Sequence, residues 1–396
     1  MVPAPATVTL RPRGAARLRA GHPWVYRSDL ASSGGAAPGA LVRVADSRGK
    51  LLGSALYSSS SEIAIRLLTS RALAGPGDLL DLLRRRLQAA LEYRRRVVRD
   101  SDACRLVFSE ADGLPGLIVD RYNEILSLQA LTQSMDQPAV KEAVVATLVE
   151  ALTPASVVER AEPRIRELEK LPPRPAGPLY GELTRTVICM NGVRFHYDAL
   201  GGQKTGLFLD QRENYAAAAH LARGEALDVC CYQGGFALHL ARAGCRVTGV
   251  DSSRPALEMA EQNAALNSLP EMEWIEGNAF DLLKDYAAAG RRYDTVVLDP
   301  PPFARSKSAL ATALRGYKEL NLRALKMLRS GGLLVTCSCS FHVSAGDFLE
   351  MLSSAARDAH RSLRLVEQRT QARDHPIVLT IPETSYLKCL ISIVSN

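Results

Sequence analysis

The chain has 396 residues, 47% of them hydrophobic and 23% charged, a length that favours two or three domains and a composition ordinary for globular protein. No apolar run is long enough to span a bilayer, and the first twenty residues, with Arg11, Arg13, Arg17 and Arg19, lack the apolar core of a secretion signal, so a cytoplasmic protein without a membrane partner is expected. The net charge of +7 is uneven: residues 1–100 hold 17 Lys and Arg against 7 Asp and Glu, and the remainder 32 against 35. A basic N-terminal quarter on a nearly neutral body suggests a polyanion partner, the alternative being a solvated basic helix.

From about residue 7 to 68 the segments "ALVRVADSRG", "KLLGSALYS" and "IAIRLL" are rich in strand formers, and Gly34, Gly35, Gly39, Gly49 and Gly53 punctuate them. A small β-barrel is expected there. From Gly77 to Asp100 the pattern turns helical, with Leu79, Leu80, Leu83, Leu87, Ala90 and Leu91 on one stripe and Arg84–Arg86 and Arg94–Arg96 around it. "GLIVDRY" and "ILSLQAL" read as strands and roughly 138–152 as a helix. The Pro-rich run 170–178, "KLPPRPAGP", is the clearest candidate boundary. The expected division is 1–74, 75–180 and 181–396.

After Gly181 strands and helices alternate. "ALDVCC", "RVTGVD", "MEWIEG", "YDTVVLDPP" and "GGLLVTCSCS" read as strands, with helices at "GFALHLARAG", "RPALEMAEQNAALN" and roughly 309–328 between them. Such alternation specifies an α/β fold with a doubly wound, mostly parallel sheet. Ligands of open parallel sheets bind beyond the carboxyl ends of the strands. There "CYQGGF" offers Gly234 and Gly235 for close backbone approach, and Asp251 ends the second strand, where a carboxylate can accept both hydroxyls of a ribose. Asn278 follows the third strand and Asp299 ends the fourth, where its carboxyl can meet a planar base edge. The phosphate-binding G-x-G-x-x-G is absent, which disfavours a dinucleotide. Taken singly, the glycines could be a tight turn and Asp251 a helix cap; as a set they suit S-adenosylmethionine.

Cys337 and Cys339 in "LLVTCSCSFH" could be a metal clip, a redox pair, a nucleophile with a bystander, or core residues. With His342 they form a C-x-C-x-x-H trio without a second cluster, so no metal site is expected. In a cytoplasmic protein the eight cysteines are expected reduced.

Residues 181–396 resemble the class I S-adenosylmethionine-dependent RNA methyltransferases. The chain as a whole is similar to the bacterial 23S rRNA (cytosine-5)-methyltransferase family, which joins a PUA-like RNA-binding barrel, a small α+β (EEHEE) domain and a Rossmann-like methyltransferase domain. The motifs that carry the resemblance are "GGQKTGLFLDQREN", "LDVCCYQGGFALHLA", "VTGVDSS", "EGNAFDLL", "LDPPPFARSK", "RGYKELN" and "SCS", with "GHPWVYRSDL", "SEIAIRLL" and "FSEADGLPGLIVDRY" upstream. The resemblance implies ribosomal RNA as partner and S-adenosylmethionine as cofactor, and leaves a homodimer open. It implies a cofactor pocket of Lys204, Thr205, Phe208, Asp210, Gln211, Arg212, Tyr232, Gly234, Gly235, Asp251, Asn278 and Asp299. The family's cysteine is the second residue of its S-C-S, here Cys339, which would attack cytosine C6 so that C5 becomes nucleophilic, with Asp299 as the polar partner of the base. Cys337 would be packing. The base that removes the C5 proton stays unassigned. The rival expectations are a methyltransferase of the same fold acting on a purine, a non-catalytic RNA-binding assembly factor, and a Rossmann dehydrogenase.

Overall fold

A computed structural model describes residues 4–201, 207–304 and 306–395. The chain forms two compact units, one of Met1–Ile188 with Tyr197–Gly206 and Arg373–Thr384, the other of Cys189–His196, Leu207–Ala372 and Ser385–Asn396. Among the described residues no helix is long and apolar enough to cross a membrane.

The first unit holds two sheets. In the N-terminal one, six strands run in the order Trp24–Tyr26, Ile63–Thr69, Leu51–Tyr57, Leu41–Ala45, Thr7–Leu10, Leu30–Ser32. All neighbours are antiparallel except Thr7–Leu10 with Leu41–Ala45. A helix, Pro12–Arg19, not foreseen from the sequence, starts on Pro12 at the position where its missing N–H costs nothing. The second sheet has five strands in the order Gly177–Tyr180, Ser156–Glu159, Ile125–Ala130, Leu117–Tyr122, Ala103–Phe108. The helix Pro76–Val97 buries Leu79, Leu83, Leu87, Ala90 and Leu91 of the stripe read from the sequence, while Leu80 is only partly buried. Leu56 and Leu68 of the first sheet pack into the same core.

Two features of this unit differ from the sequence reading. The helix arginines do not all face water. Arg94 is buried, donates to Arg105 O at 2.9 Å and Asp374 O at 2.8 Å, and pairs with Asp112. Arg86 donates to the carbonyls of Gly113 and Leu68, whereas Arg84, Arg85, Arg95, Arg96 and Arg99 are exposed. The Pro-rich run 170–178 also rejoins the sheet: Gly177–Tyr180 pairs antiparallel with Ser156–Glu159, and Arg174 pairs with Asp136 and Glu159. Lys141 and Arg166 complete that ion cluster, so its carboxylates are buried with partners.

The second unit is the doubly wound domain. Its seven strands run Glu273–Glu276, Arg246–Asp251, Glu225–Val229, Tyr293–Leu298, Leu328–Ser338, Lys388–Ser395, Ser362–Arg369. The first five are mutually parallel. Lys388–Ser395 enters antiparallel between Leu328–Ser338 and Ser362–Arg369. The strand order reverses between Glu225–Val229 and Tyr293–Leu298, and that switch point opens a crevice at the carboxyl ends. One helix of this unit, Ala345–Asp358, starts on a capping box in which Ser344 and Asp347 satisfy each other's backbone N–H.

Candidate active site

The strand Glu225–Val229 delivers the chain into the loop 230–234, where three residues adopt left-handed backbone: Cys230 at φ 64°, Tyr232 at φ 50° and Gly234 at φ 86°. For the two non-glycines this conformation costs on the order of 1 kcal/mol or more each, and such outliers collect at ligand sites. Asp251, from the end of the neighbouring strand, holds the loop in place. One of its oxygens accepts from Tyr232 N–H at 2.9 Å and the other from Ser253 N–H at 2.9 Å. Each carboxylate oxygen keeps a further lone pair, so the loop support does not use up its accepting capacity. Gly235 opens the helix Gly235–Arg242, and a Cβ there would lie 2.5 Å from the Tyr215 hydroxyl oxygen. Glycine at 235 thus makes room for a buried tyrosine.

Phe208 and Tyr232 meet edge to face at 5.3 Å between ring centroids, and Phe208 is 51% exposed, which leaves a face for a planar ligand. With Leu207, Tyr215, Cys231, Gln233, Gly235, Phe236 and Asp299 they line one cleft. Asp299 follows Tyr293–Leu298, its N–H donating to Val229 O at 3.2 Å, and its Oδ2 accepts from Gln211 Nε2 at 3.0 Å. Burial, with Asp210 nearby, pushes the Asp299 carboxyl up to about 7 against the pull of Gln211. Asp210 is held by Tyr386, whose hydroxyl donates to Oδ2 at 2.7 Å, and its carbonyl accepts from Ala372 N–H at 2.7 Å.

The remaining expected pocket residues are spread differently. Arg212 is buried, with Glu213 at 3.7 Å. Asn278 is exposed and caps the helix Ala279–Ala288, its Oδ1 accepting from Phe280 N–H at 2.9 Å, which leaves its amide N–H2 and one lone pair for a ligand. Lys204 and Thr205 lie outside the described residues.

One carboxylate went unremarked in the sequence. Asp228 sits inside the strand Glu225–Val229, wholly buried, with Oδ2 accepting from Ala237 N–H at 2.8 Å and, among the described residues, no hydrogen-bond partner at Oδ1. Burial, reinforced by the charges of Asp299 and Asp251, raises it to about 8 despite the Ala237 bond. The signal was an acidic residue in an otherwise apolar run. Asp251 and Asp299 stand at the carboxyl ends of the two strands that flank it, and Asp299 lines the cleft.

The two thiols separate clearly. Cys337 lies within the strand Leu328–Ser338, opposite Cys389 in the register, and is fully buried; burial holds its thiol well above the ordinary range. Cys339 comes just after the strand's end and is partly exposed. Its thiol is pushed up to about 12 by burial and by the charges of Asp299 and Asp210, with Lys388 acting the other way. The next residue, Ser340, is buried and ties the turn: its Oγ lies 2.9 Å from the Tyr317 hydroxyl and accepts from Ala304 N–H at 3.2 Å. Ala304 belongs to the "DPPPFA" turn after Asp299, so the turns carrying the carboxyl and the thiol are joined.

Comparison with known proteins places this geometry. A model of the S-adenosylmethionine-dependent methyltransferases matches residues 115–391, and a PUA-like domain matches residues 8–70. Ribosomal RNA large subunit methyltransferase I of Photobacterium profundum is 38% identical over 94% of this chain and 95% of its own. The chain belongs to the ribosomal RNA large subunit methyltransferase I family. The member from Escherichia coli O9:H4 is 35% identical over 93% of this chain and 94% of its own length. The solved structure of SMU.776 complexed with SAH, 17% identical, shares the fold at a TM-score of 0.83 over 98% of this chain and 100% of that one. The family's cofactor is S-adenosylmethionine, and the cleft fits it: the exposed Phe208 face suits its base, and the remaining lone pairs of Asp251 suit the hydroxyls of its ribose. The PUA-like match and the Rossmann-like sheet agree with the fold expected from the sequence.

Proposed function

We propose that this chain methylates C5 of a cytosine in 23S ribosomal RNA, in the cytoplasm, through a covalent adduct on Cys339. The observation that carries the reading is the pairing of Cys339 with Asp299 at adjacent strand ends, joined through Ser340 and Ala304. The name of the relatives, ribosomal RNA large subunit methyltransferase I, supports the substrate class. We further read residues 1–74 as an RNA-binding domain, 75–180 as a central domain and 181–396 as the methyltransferase domain.

Phe208, Tyr232, Asp251 and Asn278 would hold the adenosine part of S-adenosylmethionine, with the backbone around Gly234 and Gly235 toward its methionine end; Asp210, Gln211, Arg212 and the buried Asp228 would support them. When bound, the cofactor supplies an electrophilic methyl group. The chain's own residues do the rest. Cytosine C5 is a poor nucleophile until a sulfur adds at C6 and the ring electrons move toward N3. Cys339 supplies that sulfur. A carboxyl that stays protonated up to about pH 7 can give N3 a proton as the charge develops, which is the task of Asp299. Gln211 holds the same carboxyl in place. A purine nitrogen would need no thiol, so mass mapping of rRNA after incubation with labelled cofactor tests the reading: 5-methylcytosine is expected, and a methylated purine would defeat it.

Two further results are expected. Asp251→Ala weakens S-adenosylmethionine binding in calorimetry by roughly 1.5–3 kcal/mol, the worth of charged hydrogen bonds to a ribose. An unchanged dissociation constant would make Asp251 a loop support only. The second concerns RNA affinity. Because Leu56 and Leu68 share a core with the helix Pro76–Val97, deleting residues 1–74 would unsettle the first unit, and surface substitutions are the cleaner probe. Arg48, Lys50, Arg84 and Arg85 are exposed. Replacing all four with alanine should weaken binding to an rRNA fragment at low salt and flatten the salt dependence by about 0.7–0.9 log units per lost phosphate contact. An unchanged slope would put the RNA on another surface.

A further inference from the structure

Lys388 opens the strand Lys388–Ser395 and stands opposite Ser338 in the register, one residue before Cys339. Its Nζ donates to Ser340 O at 2.6 Å and to Tyr386 O at 2.8 Å. The lysine is thus fixed to the chain on both sides of Cys339: by strand pairing before it and by a hydrogen bond after it. A lysine nitrogen has three positions beyond its carbon, and two of them are spent on these carbonyls. The third carries an N–H in the ammonium and a lone pair in the amine.

The ionisable groups facing the thiol set its chemistry. Asp299 and Asp210 oppose a thiolate, Tyr317 is a further acid within its electrostatic reach, and Lys388 is the cation whose charge favours it. Burial lowers Lys388 to about 8, opposed by Cys339, so amine and ammonium are both present near neutrality. At rest the proton therefore stays on sulfur. It must leave when sulfur bonds to carbon, because the thioether formed cannot keep it.

We propose that Lys388 is the proton acceptor for Cys339: as Sγ adds to C6 of the target pyrimidine, the thiol proton passes to the third position of the Lys388 amine. The S–H electron pair becomes the S–C6 bond, the C5–C6 π pair moves into the ring toward N3, and Asp299 protonates N3. Once C5 is methylated, N3 returns its proton to Asp299; loss of the C5 proton to water re-forms the C5–C6 π bond and expels the sulfur, to which the Lys388 ammonium returns the thiol proton. This assignment rests on the reading of Cys339 as nucleophile.

The test follows adduct formation on RNA carrying 5-fluorocytosine at the target, in single turnover from about pH 6 to 9, where an essential acid and base appear as the two limbs of the profile. The full-length protein is compared with Lys388→Met and Lys388→Arg. Arginine keeps a cation and N–H donors for the two carbonyls, yet cannot lose a proton in this range. Cofactor affinity by calorimetry reports whether each variant is folded. Both variants should bind S-adenosylmethionine like wild type and form adduct about 100-fold more slowly or worse. Wild type should rise with pH on the acidic side of an optimum between about 7 and about 8, set by Asp299 and Lys388, and Lys388→Arg should lose that rise. A Lys388→Arg protein that traps RNA at the wild-type rate would make Lys388 a tie for the turn and overturn the proposal. So would a wild-type rate that is flat with pH below about 7, a result that needs no variant. Wild type that traps no RNA at all would remove the nucleophile itself, a failure distinct from either.

Discussion

Cys339→Ala protein incubated with 5-fluorocytosine RNA and S-adenosylmethionine yields no protein–RNA band on a denaturing gel, whereas wild type and Cys337→Ala both yield one. Fluorine at C5 cannot leave as a proton does, so an adduct methylated at C5 has no exit and accumulates. Turnover of Cys339→Ala on ordinary RNA falls to background while cofactor affinity stays at wild type, because its thiol acts on the RNA base and not on adenosine. The contrast with Cys337 follows from placement: one thiol is sealed within the sheet against Cys389 and the other is partly exposed beyond the strand's end. Cys337→Ala removes a small buried group and costs stability, not chemistry. A band from Cys339→Ala, or its loss in well-folded Cys337→Ala, would reverse the assignment. If no protein traps, nitrogen methylation becomes the better account.

Asp299→Asn and Asp299→Ala should both form the adduct about 100-fold more slowly or worse, since neither can give N3 a proton. The wild-type pH dependence has a definite sign. Burial and Asp210 raise the carboxyl to about 7, so it is a neutral donor below that pH and an ionised acceptor above it. The adduct rate therefore falls as pH climbs past the optimum, and Asp299→Asn loses that fall. An undiminished rate in Asp299→Asn would confine Asp299 to holding Gln211, whose amide it accepts.

Much of the second unit was legible because its elements are locally written. The strand "VVLD" stops at prolines, and Tyr293–Leu298 ends where they begin. In the first unit, likewise, the helix expected over 138–152 is found as Pro138–Leu152. Other features depend on partners far away in the chain, which no local period records. Nothing in "YLKCLISIVS" announces a strand entering antiparallel beside the thiol-bearing one, so Lys388 passed unnoticed. Arg94 reads as one more surface arginine until the carbonyls of Arg105 and Asp374 are seen around it. Asn278 reads as a ligand residue, and the structure adds a capping bond to its Oδ1. The left-handed backbone of Cys230 and Tyr232 carries no signal either, because side chains of those types ordinarily avoid it.

The segment Arg373–Thr384 has a consequence for how the molecule assembles. It belongs to the first unit although the chain has by then run through most of the second. Arg94 and Asp374 meet across 280 residues of sequence, and Arg105 and Asp374 across 269. During synthesis the two N-terminal sheets can collapse early, but part of the hydrogen bonding of Arg94 and Arg105 waits until this late segment arrives. Closing so long a loop is slow compared with forming a local helix. Maturation of the N-terminal unit is thereby tied in time to completion of the methyltransferase sheet, and the two do not mature as independent beads on a string.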